Sequence, residues 1–433
     1  MRLLRLLAIA LLMLGSSAAL AADPAQAIAA RLLDQLDAGN YAGAEAGFTP
    51  EMAAAVPAAT LKAIWESLPA QMGAANGRGA AQTTTQQGMS VVVIRLRFAN
   101  GELDTQTVVD GQGRIAGFRI TPAAPPPAAA PAADAGFHEI EFSIPAKPGA
   151  LPGTLAMPDG TGPFPAVVLV HGSGPQDRDE TIGPNRPFLD IARGLAAQGI
   201  AVLRYEKRSK ARPQDLAGDS FTVDDETTHD AVAAVAALAT APGIDARHLF
   251  VLGHSQGGML APRIARQSGK LAGLILLAAP ARSLLTILPE QNRYLFLQDG
   301  QISSEEQAFL DKLDAQIAAV RGSGEVAAKD SPLGQPAHYW RSFEAIHPVA
   351  DARALTLPIL LLQGGRDFQV TGSDWQLWKA GLQGARFSFR DYPALNHLGI
   401  AGEGPGTLQE YQQPGHVSAQ LIDDVAGWIK AQP

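Results

Sequence analysis

The apolar positions of the first hundred residues change their spacing once. They begin at intervals of three or four, which predicts helices, at Ile28, Leu32, Leu33 and Leu36. Three later runs alternate apolar with polar positions, as strands with one buried face do; these runs cover 90–98, 103–109 and 114–120. The hairpin signals Asn100-Gly101 and Asp110-Gly111 separate them. Residues 23–121 are therefore predicted to form a small α+β domain, with helices across a curved sheet.

From residue 137 onward, short apolar runs alternate with helical patterns. The eight strand-like runs are Phe137–Ile144, Leu151–Met157, Ala166–Val170, Ile200–Tyr205, His248–Leu252, Leu274–Leu277, Ile359–Leu362 and Phe387–Tyr392. The later runs are continuously apolar, as parallel strands buried on both faces are. Helical patterns lie between them near 187–198, 224–240, 256–267, 373–383 and 416–430. This alternation predicts a doubly wound α/β fold with a mostly parallel, eight-stranded sheet over residues 137–433.

Two segments do not fit the alternation. The interval of about 284–356 is too long for a simple connection and contains helically spaced apolar residues, including Leu313 and Ile317, so we expect an inserted helical cap over the site. The segment 122–136 consists almost entirely of proline and alanine. Such a tract cannot form a core and predicts a semi-rigid linker between the two domains.

The first 22 residues have the pattern of an export signal. Arg2 and Arg5 precede a short apolar stretch that ends in small residues, which predicts a cleaved signal peptide and a periplasmic or secreted protein. The apolar stretch is shorter than the ~20 residues that span a bilayer, so we expect no stable membrane insertion after its removal.

Composition excludes several kinds of chemistry. The chain has no cysteine, which excludes thiol catalysis and cysteine-ligated metal sites. Its formal net charge of −8 becomes about −10 when Arg2 and Arg5 leave with the signal peptide. An acidic chain without a basic run argues against a nucleic-acid partner.

The segment Gly253-His254-Ser255-Gln256-Gly257 joins an apolar run to a helical pattern. Strand, Gly-x-Ser-x-Gly and helix form the context of a nucleophile elbow. The turn is so tight that residues flanking the serine must be nearly free of side chains, which exposes the hydroxyl of Ser255. Serine is a poor nucleophile at neutral pH and needs a base that is itself oriented by a carboxylate.

The carboxylate and the base follow in the expected chain order of serine, acid and histidine. Asp367 lies on a glycine-bearing loop after the seventh predicted strand, and His397 follows the eighth. Catalytic groups gather at the carboxyl ends of strands in α/β sheets. The sequence therefore predicts a catalytic triad of Ser255, Asp367 and His397.

Other acids and histidines are alternatives to these partners. Asp374 falls where a helix begins, as a first-turn charge does, and Asp351 precedes the seventh strand. His416 also follows the last strand, but it lies near the start of the final helix, so we interpret it as structural. We interpret His171 and His254, which flank glycine turns, as residues that hold loop geometry.

A tetrahedral intermediate also needs two backbone donors, each worth roughly 2.7–4 kcal/mol of barrier. One is expected to be the amide of Gln256, directly after the nucleophile. The other is expected to be the amide of Ser173, in the glycine-rich turn after the third predicted strand.

Two charged segments follow predicted strands, one around Arg178 and one at Glu206-Lys207-Arg208. We interpret both as clusters that organise their loops. Arg178 is expected to pair with its acidic neighbours, and contact with a substrate carboxylate is the alternative.

These segments together resemble the bacterial α/β-hydrolase family of exported serine esterases, whose relatives are described as dienelactone-hydrolase-like or acyl-aminopeptidase-like. The matching segments are 171–178, 204–208, 253–258, 364–370 and 396–398. The resemblance covers about 137–433 and implies an α/β-hydrolase fold and hydrolysis of carboxylic esters, typically with short acyl chains. It places Ser255, Asp367 and His397 in the matching catalytic positions. A dienelactone hydrolase has a cysteine nucleophile where this chain has Ser255.

The N-terminal region, 23–121, resembles a different kind of domain. It is similar to the small domain of unknown function, shaped like a nuclear-transport-factor cone, that often precedes bacterial hydrolases. We interpret it as a recognition or stabilising module, because it contains no histidine and only scattered carboxylates.

The sequence thus predicts an exported serine hydrolase of small-molecule esters that requires no cofactor and no metal. An amidase or peptidase with the same triad is the nearest alternative. A pocket for a free amino terminus needs paired carboxylates, for which Glu305 and Glu306 are candidates, but they follow Ser303-Ser304 as the exposed start of a helix does. A thioesterase for coenzyme A is a further alternative, disfavoured because the exported protein would reach a compartment without that cofactor. A non-catalytic binding protein is another, disfavoured by the predicted triad.

Overall fold

The computed structural model describes residues 23–86, 88–123, 128–269 and 271–433. The predicted signal peptide, 1–22, lies outside the described residues, as does the linker segment 124–127. The chain divides into two compact units, Met1–Pro125 and Pro126–Pro433, so the boundary falls inside the Pro/Ala tract. Within the described part of the chain, no helix is both long enough and apolar enough to cross a bilayer.

The first unit consists of four helices followed by an antiparallel sheet. The helices are α1 (Pro24–Asp37), α2 (Tyr41–Glu45), α3 (Pro50–Ala55) and α4 (Ala58–Met72). The strands are β1 (Ala75–Arg78), β2 (Gln82–Gln86), β3 (Met89–Phe98), β4 (Gly101–Val109) and β5 (Ile115–Pro122). Leu32, Leu33 and Leu36 of α1 pack against Val92 and Ile94 of β3. The sequence did not predict β1 and β2, since their polar residues carry no apolar alternation.

The second unit contains the eight-stranded sheet. Its strands are β6 (Phe137–Ile144), β7 (Leu151–Pro158), β8 (Phe164–Val170), β9 (Ala201–Tyr205), β10 (Ile244–His254), β11 (Gly273–Leu277), β12 (Ile359–Gly364) and β13 (Phe387–Tyr392). They lie in the order β13-β12-β11-β10-β8-β9-β7-β6. β7 is antiparallel to β6 and to β9, and the other neighbours are parallel. The predicted fold, with its mostly parallel eight-stranded sheet, is confirmed.

Helices cover both faces of this sheet. One face buries residues of α5 (Pro187–Ala196) and α14 (Ala419–Lys430). The other buries residues of α7 (His229–Leu238), α8 (Gln256–Ser268) and α13 (Gly372–Gly381). A short helix, α6 (Arg208–Ala211), follows β9, and a π-helical turn, Asp224–Thr228, leads into α7. The central strands β8 and β11 are apolar throughout because the helices shield both of their faces from water.

The interval between β11 and β12 is helical, as predicted. Three helices, α9 (Leu284–Phe296), α10 (Ser304–Arg321) and α11 (Ala337–Glu344), form the inserted cap. The next helix, α12 (Pro348–Ala354), packs against α8 and α13. It therefore belongs to the layer that covers the sheet, and the cap is shorter at its C-terminal end than the predicted 284–356.

Candidate active site

The serine of the elbow has a backbone conformation that few side-chain-bearing residues adopt. Ser255 stands between β10 and α8 with φ 51° and ψ −119°, and its amide donates to the carbonyl of Leu277 at 2.9 Å. Such a conformation costs roughly 1–3 kcal/mol and persists only where the surroundings impose it. Strand, turn and helix thus hold Ser255 at the carboxyl edge of the sheet, as the motif predicts.

The two glycines of the motif leave no space for a side chain. A Cβ on Gly253 would lie 2.2 Å from the carbonyl oxygen of Gly257, and one on Gly257 would lie 2.1 Å from that of Val170. Both obstacles are backbone atoms of the turn or of the neighbouring strand β8. The sequence requires glycine here because the helix begins in direct contact with the strand.

Asp367 and His397 form a buried pair. Nδ1 of His397 lies 2.8 Å from Oδ2 of Asp367, and both residues are buried. The other carboxylate oxygen accepts hydrogen bonds from the amides of Gln369 at 2.8 Å and Val370 at 2.9 Å. The loops after β12 and β13 thus bring together the two residues that the sequence paired, in the geometry of an acid that orients a histidine base.

His254 connects the loop of His397 to the elbow. Its Nε2 lies 2.9 Å from the carbonyl oxygen of His397, and the two imidazole centroids are 4.7 Å apart. Among the described contacts there is no hydrogen bond from the Ser255 hydroxyl to His397; such bonds often tighten only when substrate binds. The pairing of Ser255 with His397 therefore stays a prediction.

The alternative acids and histidine have other partners. Asp374 is fully buried and accepts hydrogen bonds from the amide and guanidinium of Arg282, so it is more than a first-turn charge. Asp351 pairs with Arg266 at 3.1 Å. His416 is exposed and pairs with Asp190 at 3.0 Å. None of the three contacts Asp367 or His397 among the described hydrogen bonds and ion pairs.

The turn after β8 is fixed by a carboxylate that the sequence analysis did not single out. Glu180 is buried, with φ 52°, and its Oε1 accepts from the amide of Gly172 at 2.6 Å. Its Oε2 lies 2.9 Å from Nδ1 of His254. Burial alone would lower the pKa of His254, but the charge of Glu180 and the carbonyl of His397 outweigh burial and raise that pKa. Glu180 lies in a run of charged residues, and nothing in the sequence distinguishes the one carboxylate of this run that is directed into the interior.

The two amides predicted for the oxyanion hole remain available. The amide of Gly172 is occupied by Glu180, whereas no described residue accepts a hydrogen bond from the amide of Ser173. Gln256 is the first residue of α8, where a backbone amide has no partner within the helix. Both residues line the same cavity. Their role in an oxyanion hole stays a prediction.

The interpretation of Arg178 needs correction, whereas that of His171 does not. Among the described ion pairs, Arg178 has no acidic neighbour in sequence as a partner. It contacts Glu206 at 2.9 Å and Glu141 at 3.2 Å, which strands β9 and β6 place beside it. His171 packs against Phe188 and Tyr205 and hydrogen-bonds to the backbone of Asp177 in the turn after β8, as a residue that holds loop geometry does. Its Nε2 has no hydrogen-bonding partner among the described residues. Burial lowers the pKa of His171 to about 4, so its imidazole is neutral at physiological pH.

A cavity of about 580 Å³ opens beside the proposed oxyanion amides. Its apolar wall comes from the cap and the segment before the π-helical turn, and includes Phe221, Leu284, Tyr339 and Trp340. Glu226 is the buried carboxylate in the wall. Burial raises the pKa of Glu226, but Lys207, Tyr339 and Gln256 outweigh burial and lower it. Among the described residues, no cluster of His, Asp or Glu side chains could hold a metal ion.

The chain belongs to the alpha/beta hydrolase family, whose model matches residues 167–408. It is 38% identical over 375 residues to Esterase EstD of Thermotoga maritima, and the match covers 86% of this chain and 87% of that protein. Residues 29–118 match a second family, described as a protein of unknown function (DUF3887).

The solved structures to which the chain is similar are more distant in sequence. Est1E from Butyrivibrio proteoclasticus is 17% identical with a TM-score of 0.44, covering 67% of this chain and 98% of that one. An esterase of Pyrococcus furiosus is 16% identical with a TM-score of 0.45, covering 71% of this chain and 97% of that one.

Proposed function

We propose that this chain is a serine hydrolase that cleaves carboxylic esters through Ser255, His397 and Asp367. The proposal rests on the buried Asp367–His397 pair, whose Nδ1 and Oδ2 atoms are 2.8 Å apart. The loop of His397 is hydrogen-bonded to His254, next to Ser255, whose backbone is strained. The similarity to Esterase EstD over most of both chains supports an ester as the substrate.

The mechanism follows from these positions. Ser255 Oγ attacks the ester carbonyl carbon while Nε2 of His397 takes the hydroxyl proton, and Asp367 stabilises the imidazolium. The amides of Ser173 and Gln256 donate to the oxyanion. His397 then protonates the leaving alkoxide, which leaves an acyl group on Ser255. Water attacks this acyl-enzyme with His397 as base. The imidazolium then returns the proton to Ser255 Oγ as the bond to the acyl group breaks and the acid departs.

The carboxylates near the cavity favour an ester over a peptide with a free amino terminus. Glu306 closes a capping box with Ser303 at the start of α10, and neither Glu305 nor Glu306 lines the cavity. Glu226, which does, is already paired with Lys207 at 3.4 Å. No buried carboxylate of the described cavity wall is therefore left to bind an ammonium group.

The cavity wall also bears on the substrate. Its lining as a whole is more apolar than polar, and a volume of about 580 Å³ suits a small ligand. We propose a neutral small-molecule ester with a short acyl chain, as the family resemblance implies. A thioesterase uses the same chemistry and remains the alternative if thioesters are cleaved faster than oxygen esters.

We also propose that the enzyme is exported. The basic start, short apolar stretch and small residues of 1–22 support a cleaved signal peptide. The mass of the N-terminal peptide of protein recovered from the periplasm or medium tests this: a start near residue 23 supports export, and an intact Met1 in the cytosol contradicts it.

The activity is tested with p-nitrophenyl esters of increasing acyl length, alongside a p-nitroanilide with the same acyl group. We expect ester hydrolysis that is fastest for short chains and lost in Ser255→Ala. Ser268→Ala is the matched control and is expected to retain full activity, because Ser268 lies at the far end of α8, the helix that follows Ser255. Anilide cleavage exceeding ester cleavage would indicate an amidase, and activity retained by Ser255→Ala would exclude the proposed mechanism.

A further inference from the structure

A buried ion pair lies directly behind the proposed oxyanion hole. Nζ of Lys207 is 3.4 Å from Oε1 of Glu226, and both side chains are almost fully buried. Burying two charges costs several kcal/mol per ion unless good geometry and further hydrogen bonds compensate for the lost water. The proposed reaction steps do not use either residue, so the pair calls for another role.

Lys207 is bonded to the peptide unit that carries one of the proposed oxyanion donors. Its Nζ donates to the carbonyl oxygen of Gly172 at 2.8 Å, and the amide of that same peptide unit belongs to Ser173. A peptide unit is planar, so fixing the carbonyl fixes the direction of the N–H on its other side. A hydrogen bond from an ammonium group is roughly twice as strong as a neutral one. By drawing electrons toward the Gly172 carbonyl oxygen, it also polarises the N–H of Ser173 in the same peptide unit.

Glu226 reaches the residue that carries the other donor. Its Oε2 accepts from Nε2 of Gln256 at 3.1 Å, and Gln256 supplies the second proposed oxyanion amide. Glu226 comes from the π-helical turn Asp224–Thr228, a rare conformation that occurs often at functional sites. One carboxylate thus joins the side chains of Lys207, just before α6, and Gln256, the first residue of α8.

The cap contributes to the same carboxylate. The hydroxyl of Tyr339, on α11, donates to Oε2 of Glu226 at 2.8 Å. Tyr339 also lines the cavity, together with Ser173 and Gln256. The cap is therefore hydrogen-bonded to the pair that holds the two donor segments.

On the basis of the ester hydrolysis proposed above, we propose that Lys207 and Glu226 are positioning residues that align the Ser173 and Gln256 amides on the oxyanion, and that Tyr339 couples this alignment to the cap. Lys207 acts through the Gly172–Ser173 peptide and does not touch the substrate. Its contribution is made in the transition state, where the carbonyl oxygen becomes negative.

The test compares Lys207→Met with Arg208→Met. Arg208 is the neighbouring buried cation, but its partners are Asp230 and Asp215, and it does not contact the turn after β8 among the described bonds. For each folded variant we would measure kcat and KM for a p-nitrophenyl ester and the inhibition constant of a trifluoromethyl ketone, which forms a tetrahedral oxyanion on the nucleophilic serine.

We expect Lys207→Met to lower kcat by up to about 10²–10³-fold, the loss seen when one oxyanion donor is removed. The affinity for the trifluoromethyl ketone should fall by the same factor, with KM nearly unchanged. Arg208→Met should lower the melting temperature but leave kcat per folded molecule and ketone affinity nearly unchanged. Equal kinetic losses in both variants, or unchanged ketone affinity in Lys207→Met, would overturn the proposal.

Tyr339→Phe keeps the proposal testable if Lys207→Met does not fold. It removes only the hydroxyl, and we expect kcat and ketone affinity to fall together by about two- to tenfold, as loss of a single hydrogen bond implies; unchanged values would overturn the coupling to the cap. Activity retained by Ser255→Ala would refute the proposed function itself, whereas a Ser255-dependent enzyme indifferent to Lys207→Met would refute only this positioning role.

Discussion

At the scale of single residues, backbone amides of its own loop fix the carboxylate of Asp367 independently of its contact with His397. Two backbone amides, from Gln369 and Val370, fix one oxygen, which leaves the other directed at Nδ1 of His397. An acid held in this way keeps the imidazole in the tautomer whose Nε2 can accept a proton. The orientation of His397 therefore depends on the loop after β12 and not on His397 alone.

We predict that Asp367→Asn lowers kcat about 10⁴-fold, because an amide stabilises the wrong imidazole tautomer. Steady-state hydrolysis of a p-nitrophenyl ester measures the loss. Asp374→Asn is the control: this buried acid binds Arg282, so its loss should reduce stability while kcat stays within about threefold. The reverse result, with Asp374→Asn inactive and Asp367→Asn active, would assign the catalytic acid to Asp374.

His171 makes the stability of the protein depend on pH. Its pKa is about 4 in the folded chain against 6.5 for an ordinary histidine, so unfolding takes up a proton between these pH values. The free energy of unfolding therefore rises with pH over this interval, by roughly 3 kcal/mol from this group. Denaturant titrations from pH 4 to 7 should show a weaker rise in His171→Met. An identical pH dependence in both proteins would contradict the assignment.

At the scale of elements, the elbow depends on the close contact of α8 with β8. We predict that Gly257→Ala destabilises the protein by at least about 1–3 kcal/mol, the usual cost of overpacking, because the new Cβ meets the carbonyl of Val170. Gly427→Ala, inside α14, meets nothing within 4 Å and should stabilise by about 0.5–1 kcal/mol. Denaturant unfolding of the two variants measures both effects, and equal effects would contradict the close packing.

The strands and the helices between them were accessible to sequence analysis because their periods are strong. Buried strands such as Ile359–Gly364 consist of almost nothing but apolar residues, and Ser255, Asp367 and His397 follow strand ends. The roles of Glu180, Lys207 and Glu226 were not accessible. Each is a charged residue in a polar stretch, and only the folded chain shows that its side chain turns into the interior and which atoms it meets.

At the scale of the whole molecule, the proposed chemistry lies in the second unit. The proposed catalytic residues, the two proposed oxyanion amides and the 580 Å³ cavity all fall after residue 170. The first unit has a core of its own, formed by its helices and sheet. The sequence separates the two units because a Pro/Ala tract cannot contribute to either core.

We predict that a chain beginning at residue 128 folds and hydrolyses a soluble p-nitrophenyl ester with kcat/KM within a few-fold of the full protein. Circular dichroism establishes folding, and steady-state kinetics on both proteins gives the comparison. A folded but inactive second unit would show that the first unit takes part in catalysis.

Ser255 is the proposed nucleophile, and every step of the proposed mechanism depends on it. The most direct measurement is reaction of the full protein with a fluorophosphonate, followed by mass spectrometry of its peptides. We predict one adduct, on the peptide that contains Ser255, and loss of ester hydrolysis in proportion to labelling. An adduct on another residue, or a folded protein that hydrolyses esters without reacting at Ser255, would contradict the claim.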